Sequence, residues 1–106
     1  MEAKSQSHER KTCPAETALK AISGRWKLFI WGELLTGVKR FGELQRALDG
    51  ITQKMLTQQL REMEEDGIIH REVYLQIPPK VEYSLTPLGE SLKPIIDAMH
   101  EFGTQL

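Results

Sequence analysis

The apolar residues of this chain recur at helical spacing as far as Gly67, at every second position over residues 81–85, and at helical spacing again from Leu88, and these changes of period do most to limit the available folds. Leu19, Ile22, Trp26, Phe29, Ile30 and Leu34 trace one set of helix faces. Phe41, Leu44 and Leu48 trace a second, and Leu56, Leu60 and Met63 a third. Val81-Glu82-Tyr83-Ser84-Leu85 then alternates apolar and polar, as a strand with one buried face does. A length of 106 residues gives room for a single core, so both periods must belong to one small domain.

Capping and turn residues set the boundaries. Pro14 suits the first turn of a helix, Gly24 divides the first apolar run into a short and a longer helix, and Gly37 ends the longer one. A short third helix is expected from near Arg40, closed by the turn Asp49-Gly50. Thr52 is the expected N-cap of a fourth helix of about 15 residues, some 22 Å long, that Gly67 terminates. Residues 68–75 and 81–85 read as a β-hairpin around Gln76-Ile77-Pro78-Pro79-Lys80. Thr86-Pro87 opens a last helix whose stripe is Leu88, Leu92, Ile95, Ile96, Met99 and Phe102, kinked or restarted at Pro94. Residues 1–12 read as a flexible N-terminal arm and 13–106 as the domain, an α+β fold that is mainly α.

The opening residues lack the apolar segment of a secretory signal, and no run is apolar and long enough to cross a bilayer. One cysteine, Cys13, excludes an internal disulfide framework. These features fit a cytoplasmic protein without a membrane partner. The net charge of −1 argues at first sight against a nucleic-acid partner. Its distribution reverses that conclusion: residues 36–61 carry +3 from Lys39, Arg40, Arg46, Lys54 and Arg61 against Glu43 and Asp49. The balancing anions Glu62, Glu64, Glu65 and Asp66 follow directly, expected beyond the end of the fourth helix that would touch DNA.

A short helix, a turn containing glycine, a longer helix and a hairpin make a winged helix-turn-helix, whose second helix enters the major groove of double-stranded DNA. With Leu56 facing the core, Met55, Gln59, Leu60 and Met63 share its side, while Lys54, Thr57, Gln58 and Arg61 point outward with Gln53 at the margin. Glutamine suits adenine edges and arginine suits guanine. Thr52 leaves the helix N-terminus open to a phosphate, Lys39 and Arg40 stand ready for the backbone, and Lys80 closes the stiff hairpin tip as a wing cation. Such an outward face alone is what any surface helix shows; its place between helix, glycine turn and hairpin points to DNA. The competing function is a winged module that contacts proteins, and it would lack a steep salt dependence.

Several motifs resemble the HxlR-type winged helix-turn-helix regulators, relatives of the MarR group, over residues 13–102. They are Cys13-Pro14, Gly24-Arg25-Trp26-Lys27, Arg40-Phe41-Gly42-Glu43-Leu44, Ile51-Thr52-Gln53-Lys54-Met55-Leu56-Thr57, Leu60-Arg61-Glu62-Met63-Glu64-Glu65-Asp66-Gly67 and the run from Pro78 to Thr86. Ser23, Asp49 and Thr52 depart from the usual glycine, proline and serine. The resemblance implies a transcriptional regulator, not an enzyme, that binds palindromic operators as a homodimer through its terminal helices. Leu19, Ile22, Ile95, Met99 and Phe102 supply more apolar surface there than a small domain needs, so they are the expected dimer interface.

Some members of that family use an N-terminal Cys-Pro thiol to sense electrophiles, which makes Cys13 a candidate sensor. Its place at a helix start beside Arg10, Lys11 and Lys20 favours a thiolate, whereas packing at a dimer interface would make it inert. A thiol enzyme is the weakest reading, because there is no Cys-x-x-Cys and neither His8, His70 nor His100 has metal or catalytic spacing. No cofactor is expected.

Overall fold

The computed structural model describes residues 13–106, and the arm expected over residues 1–12 lies outside the described residues. The helical half consists of α1 (Pro14–Ile22), α2 (Arg25–Leu35), α3 (Phe41–Ala47) and α4 (Gln53–Glu65). The hairpin is β2 (Ile69–Tyr74) and β3 (Lys80–Leu85), and two helices follow, α5 (Pro87–Glu90) and α6 (Lys93–Gly103). α1 and α2 are separated at Gly24, whose φ of 87° lies in a region that only glycine enters cheaply. Pro94 sits in the first turn of α6, so the last helix restarts there and does not kink.

The sequence did not disclose the two-residue strand β1 (Lys39–Arg40), which precedes α3 and pairs with β3. The sheet order is therefore β1-β3-β2, antiparallel throughout, with Lys39 opposite Tyr83 and Arg71 opposite Tyr83 on the other side. β3 is the central strand, and its Tyr83 is buried.

The core lies between α2, α3, α4 and the sheet, to which β3 contributes Val81, Tyr83 and Leu85 and β2 only Ile69. Ile30, Leu44 and Leu56 are wholly buried, with Leu34, Leu60, Met63, Ile69 and Ile96 around them. The chain is locked where β3 hands over to α5. Thr86 Oγ1 caps α5 by accepting from Gly89 N–H (3.0 Å) and donates to the Gly67 carbonyl. The buried Trp31 indole N–H donates to the Gly89 carbonyl at 2.8 Å. A side chain on Gly89 would run into the Ile68 carbonyl, so the backbone of α5 meets the residue just before β2 at a distance that only glycine permits.

The terminal helices are different. α1 buries none of its side chains and α6 buries only Ile96. Leu19, Ile95, Met99 and Phe102 remain exposed, and Ile22 is half-buried against the edge of the core. An apolar groove lined by Ala18, Ala21, Ile68, Leu88, Leu92 and Ile95 runs between α1 and the α5–α6 pair.

Candidate nucleic-acid interface

The α3–turn–α4 unit presents a helix built in two halves. Thr52 Oγ1 accepts the Met55 N–H at 3.0 Å, capping α4 at the residue the sequence indicated. Leu56, Leu60 and Met63 point into the core. Gln53, Lys54, Thr57, Gln58 and Arg61 are all exposed and border one shallow depression. Met55, expected on the core side, is 37% exposed at its edge. Amide, hydroxyl and cationic groups thus share a surface about two and a half helical turns long, with the donors and acceptors that suit base edges.

Two features of this surface differ from the sequence expectation. Glu62 and Glu65 do not stand clear of it: both border the same depression as Gln58 and Arg61. Glu62 is, however, not a free anion. Its Oε1 lies 2.8 Å from Lys27 Nζ, and its Oε2 accepts from Gln58 Nε2 at 3.2 Å. These hydrogen bonds, that of Lys27 first, and the Lys27 charge hold the Glu62 carboxyl below its ordinary range. Lys27 is the one buried charged residue among those described, 8% exposed on α2. In the sequence it stands within Gly24-Arg25-Trp26-Lys27, with nothing local to assign it a role. A lysine among the buried positions Ile30, Trp31 and Leu34 of α2 marks it as a charge in need of a partner, but which carboxylate that is depends on how α2 and α4 pack.

Lys80 is the second difference. It does not sit at the hairpin tip but begins β3 opposite Tyr74. Its Nζ lies 4.5 Å from the centre of the Tyr74 ring and 3.7 Å from Glu82 Oε2. Strand register sets Glu72 directly across from Glu82, and Arg40 across from Glu82 on the other side, so the cations around this face answer a pair of facing carboxylates. His70 Nε2 is 2.7 Å from Glu72 Oε1. The Tyr74 hydroxyl is pushed above its usual range, chiefly by the charge of Glu82. In the turn of the wing, on either side of Gln76, the apolar Leu75 and Ile77 are almost fully exposed.

Lys39 and Arg40 lie at the entrance to α3. Lys39 Nζ donates to Thr36 Oγ1 at 2.9 Å, and the Arg40 N–H donates to Glu43 Oε1 at 2.8 Å, which caps α3. Cys13 is the exposed N-cap of α1; its carbonyl accepts from the backbone and hydroxyl of Thr17. Of the cations expected near it, Lys20 is exposed in the last turn of α1, and Arg10 and Lys11 lie outside the described residues.

A three-helix core with its glycine turn, a capped and outward-polar α4 and a three-stranded wing define a winged helix-turn-helix regulator. The chain belongs to the HxlR-like helix-turn-helix family, whose model matches residues 21–106. It is 53% identical to the HTH-type transcriptional regulator YybR of Bacillus subtilis over 94 residues, 89% of this chain and 75% of that protein. Among solved structures it is similar to the redox regulator HypR in its reduced form, with 53% identity, a TM-score of 0.81, and coverage of 87% of this chain and 91% of HypR. YodB of B. subtilis in its reduced form gives 36% identity, a TM-score of 0.81 and coverage of 89% of this chain and 93% of YodB. The chain is therefore a transcriptional regulator of HxlR type and not an enzyme. No helix among the described residues is long and apolar enough to cross a membrane.

Proposed function

We propose that this chain binds a palindromic DNA operator as a homodimer, with α4 of each protomer in the major groove. The observation that carries this reading is the division of α4 into a buried apolar face and an exposed face of Gln53, Lys54, Thr57, Gln58 and Arg61. Arg61 and Gln58 read base edges, and Thr52, Lys54, Lys39 and Arg40 take phosphates. Lys80, already shared between Tyr74 and Glu82, is the weakest of the phosphate contacts. Two-fold pairing through Leu19, Ile22, Ile95, Met99 and Phe102 covers the apolar surface of the terminal helices and sets the two α4 helices about 34 Å apart, one turn of DNA.

Cys13 is the proposed sensor of this regulator. It is exposed at a helix start, the chain has no second cysteine, and similar structures include a redox regulator, HypR, and a diamide-treated form of YodB. Its thiol adds to an electrophilic carbon, or an oxidant such as diamide takes two electrons, with their protons, from the two Cys13 thiols of a dimer and leaves a disulfide between the protomers.

Selection of bound duplexes from a random pool, with and without a quinone, tests both parts. The expected result is a two-fold symmetric sequence whose binding falls steeply with salt, and whose quinone response vanishes in Cys13→Ser. Lys54→Ala and Arg61→Ala are expected to cost about 1–3 kcal/mol of operator affinity each while the fold persists, with Lys54→Ala also flattening the salt dependence. Selection of no sequence, or unchanged affinity in both variants, refutes the DNA-reading role.

A further inference from the structure

Gln58 projects from the exposed face of α4, and its amide is not free to turn. An ionised carboxylate only accepts hydrogen bonds, so the Glu62 Oε2 partner must be the Gln58 nitrogen, as observed at 3.2 Å. The other carboxylate oxygen is fixed in turn by Lys27 Nζ at 2.8 Å, and Lys27 is itself buried on α2. The chain of contacts therefore runs from the core through one helix to a side chain on the surface of another. Two consequences follow from charge and stoichiometry. Lys27 cancels an anion that would otherwise face phosphates among Lys54, Gln58 and Arg61. Glu62 takes one amide N–H of Gln58 and leaves the carbonyl oxygen and the second N–H, the two groups that match the N6 donor and N7 acceptor of adenine.

We propose that Lys27 and Glu62 are positioning residues that set the base preference of the regulator, by holding the Gln58 amide in the one orientation that reads adenine. Neither touches DNA. The proposal rests on the DNA-reading role of α4 given above. Without Glu62 the amide turns freely and presents donor and acceptor in either order, so discrimination at one base pair of each half-site falls. Without Lys27 the carboxylate keeps its charge but loses its anchor, and it both repels phosphate and lets Gln58 wander.

The test measures the affinity of the full chain for its selected operator and for variants with each base pair changed in turn. Gln58→Ala identifies the base pair that Gln58 reads, as the position whose preference is lost. Glu62→Ala and Lys27→Met are expected to reduce preference at that same base pair about tenfold, while preferences elsewhere in the operator persist. Lys27→Arg, which keeps the charge, is expected to restore part of it. Thermal unfolding of each variant identifies any that fails to fold, and Glu62→Ala, whose side chain is at the surface, carries the test if Lys27→Met does. The proposal is overturned alone if Glu62→Ala keeps full preference at the position that Gln58→Ala flattens, or if Gln58→Ala flattens none. A wild-type chain that selects no DNA sequence overturns both this proposal and the reading beneath it.

Discussion

A single methyl group at Gly89 is among the least tolerable additions this fold can be given. The added carbon would meet the Ile68 carbonyl oxygen, a backbone atom held in place by the Thr86 N–H at 3.0 Å, and so unable to yield as a side-chain tip would. The Gly89 peptide is also pinned from the other side by the Trp31 indole. Gly89→Ala is accordingly expected to lower the free energy of unfolding by about 1–3 kcal/mol, the usual range for overpacking; urea titration of the two proteins checks it. Gly42, in the first turn of α3, makes the opposite case. There the nearest obstacle is the end of the Arg46 side chain, which can move aside.

At the scale of elements, α4 combines what the sequence discloses with what it conceals. Its cap at Thr52, its end before Gly67 and its buried residues Leu56, Leu60 and Met63 follow from local chemistry and a single period, and the structure has them all. The outward set from Gln53 to Arg61 was legible for the same reason, since it is the remainder of that period. The anchoring of Glu62 by Lys27 was not, because it joins α2 to α4 and no spacing along the chain encodes which helices lie side by side. The strand β1 was hidden by its length: two residues have no period, and only their pairing with β3 makes them a strand. Lys80 was misplaced by one step of the same kind, since its position opposite Tyr74 depends on where the hairpin register starts. The Lys27 pair carries a pH consequence whose sign is fixed. The Glu62 carboxyl is lowered from its ordinary 4.5, so its contribution to stability is complete above that value and is lost as pH falls through the depressed one. Wild type and Glu62→Gln are therefore expected to differ in urea midpoint at pH 7 and to converge in more acidic solution, as paired titrations at both conditions would show. A gap that widens on acidification would contradict the ion pair.

At the scale of the molecule, the terminal helices govern. α1 buries nothing of its own and α6 only Ile96, so the protomer holds its two ends loosely compared with its centre. The homodimer proposed above assigns that surface a partner, and it predicts that Phe102→Asp, at a position 65% exposed in the protomer, shifts the protein from dimer to monomer in sedimentation. Operator affinity should fall with it, because one α4 alone reads half a site; a variant that remains dimeric would remove α6 from the interface. One further property comes from the placement of the two tryptophans. Both lie on α2, Trp31 sealed inside with its N–H engaged and Trp26 partly open beside Arg25 and Phe29. The tryptophan fluorescence of the unlabelled protein is thus a sum of two emitters, of which a dissolved quencher such as iodide should dim the second far more than the first.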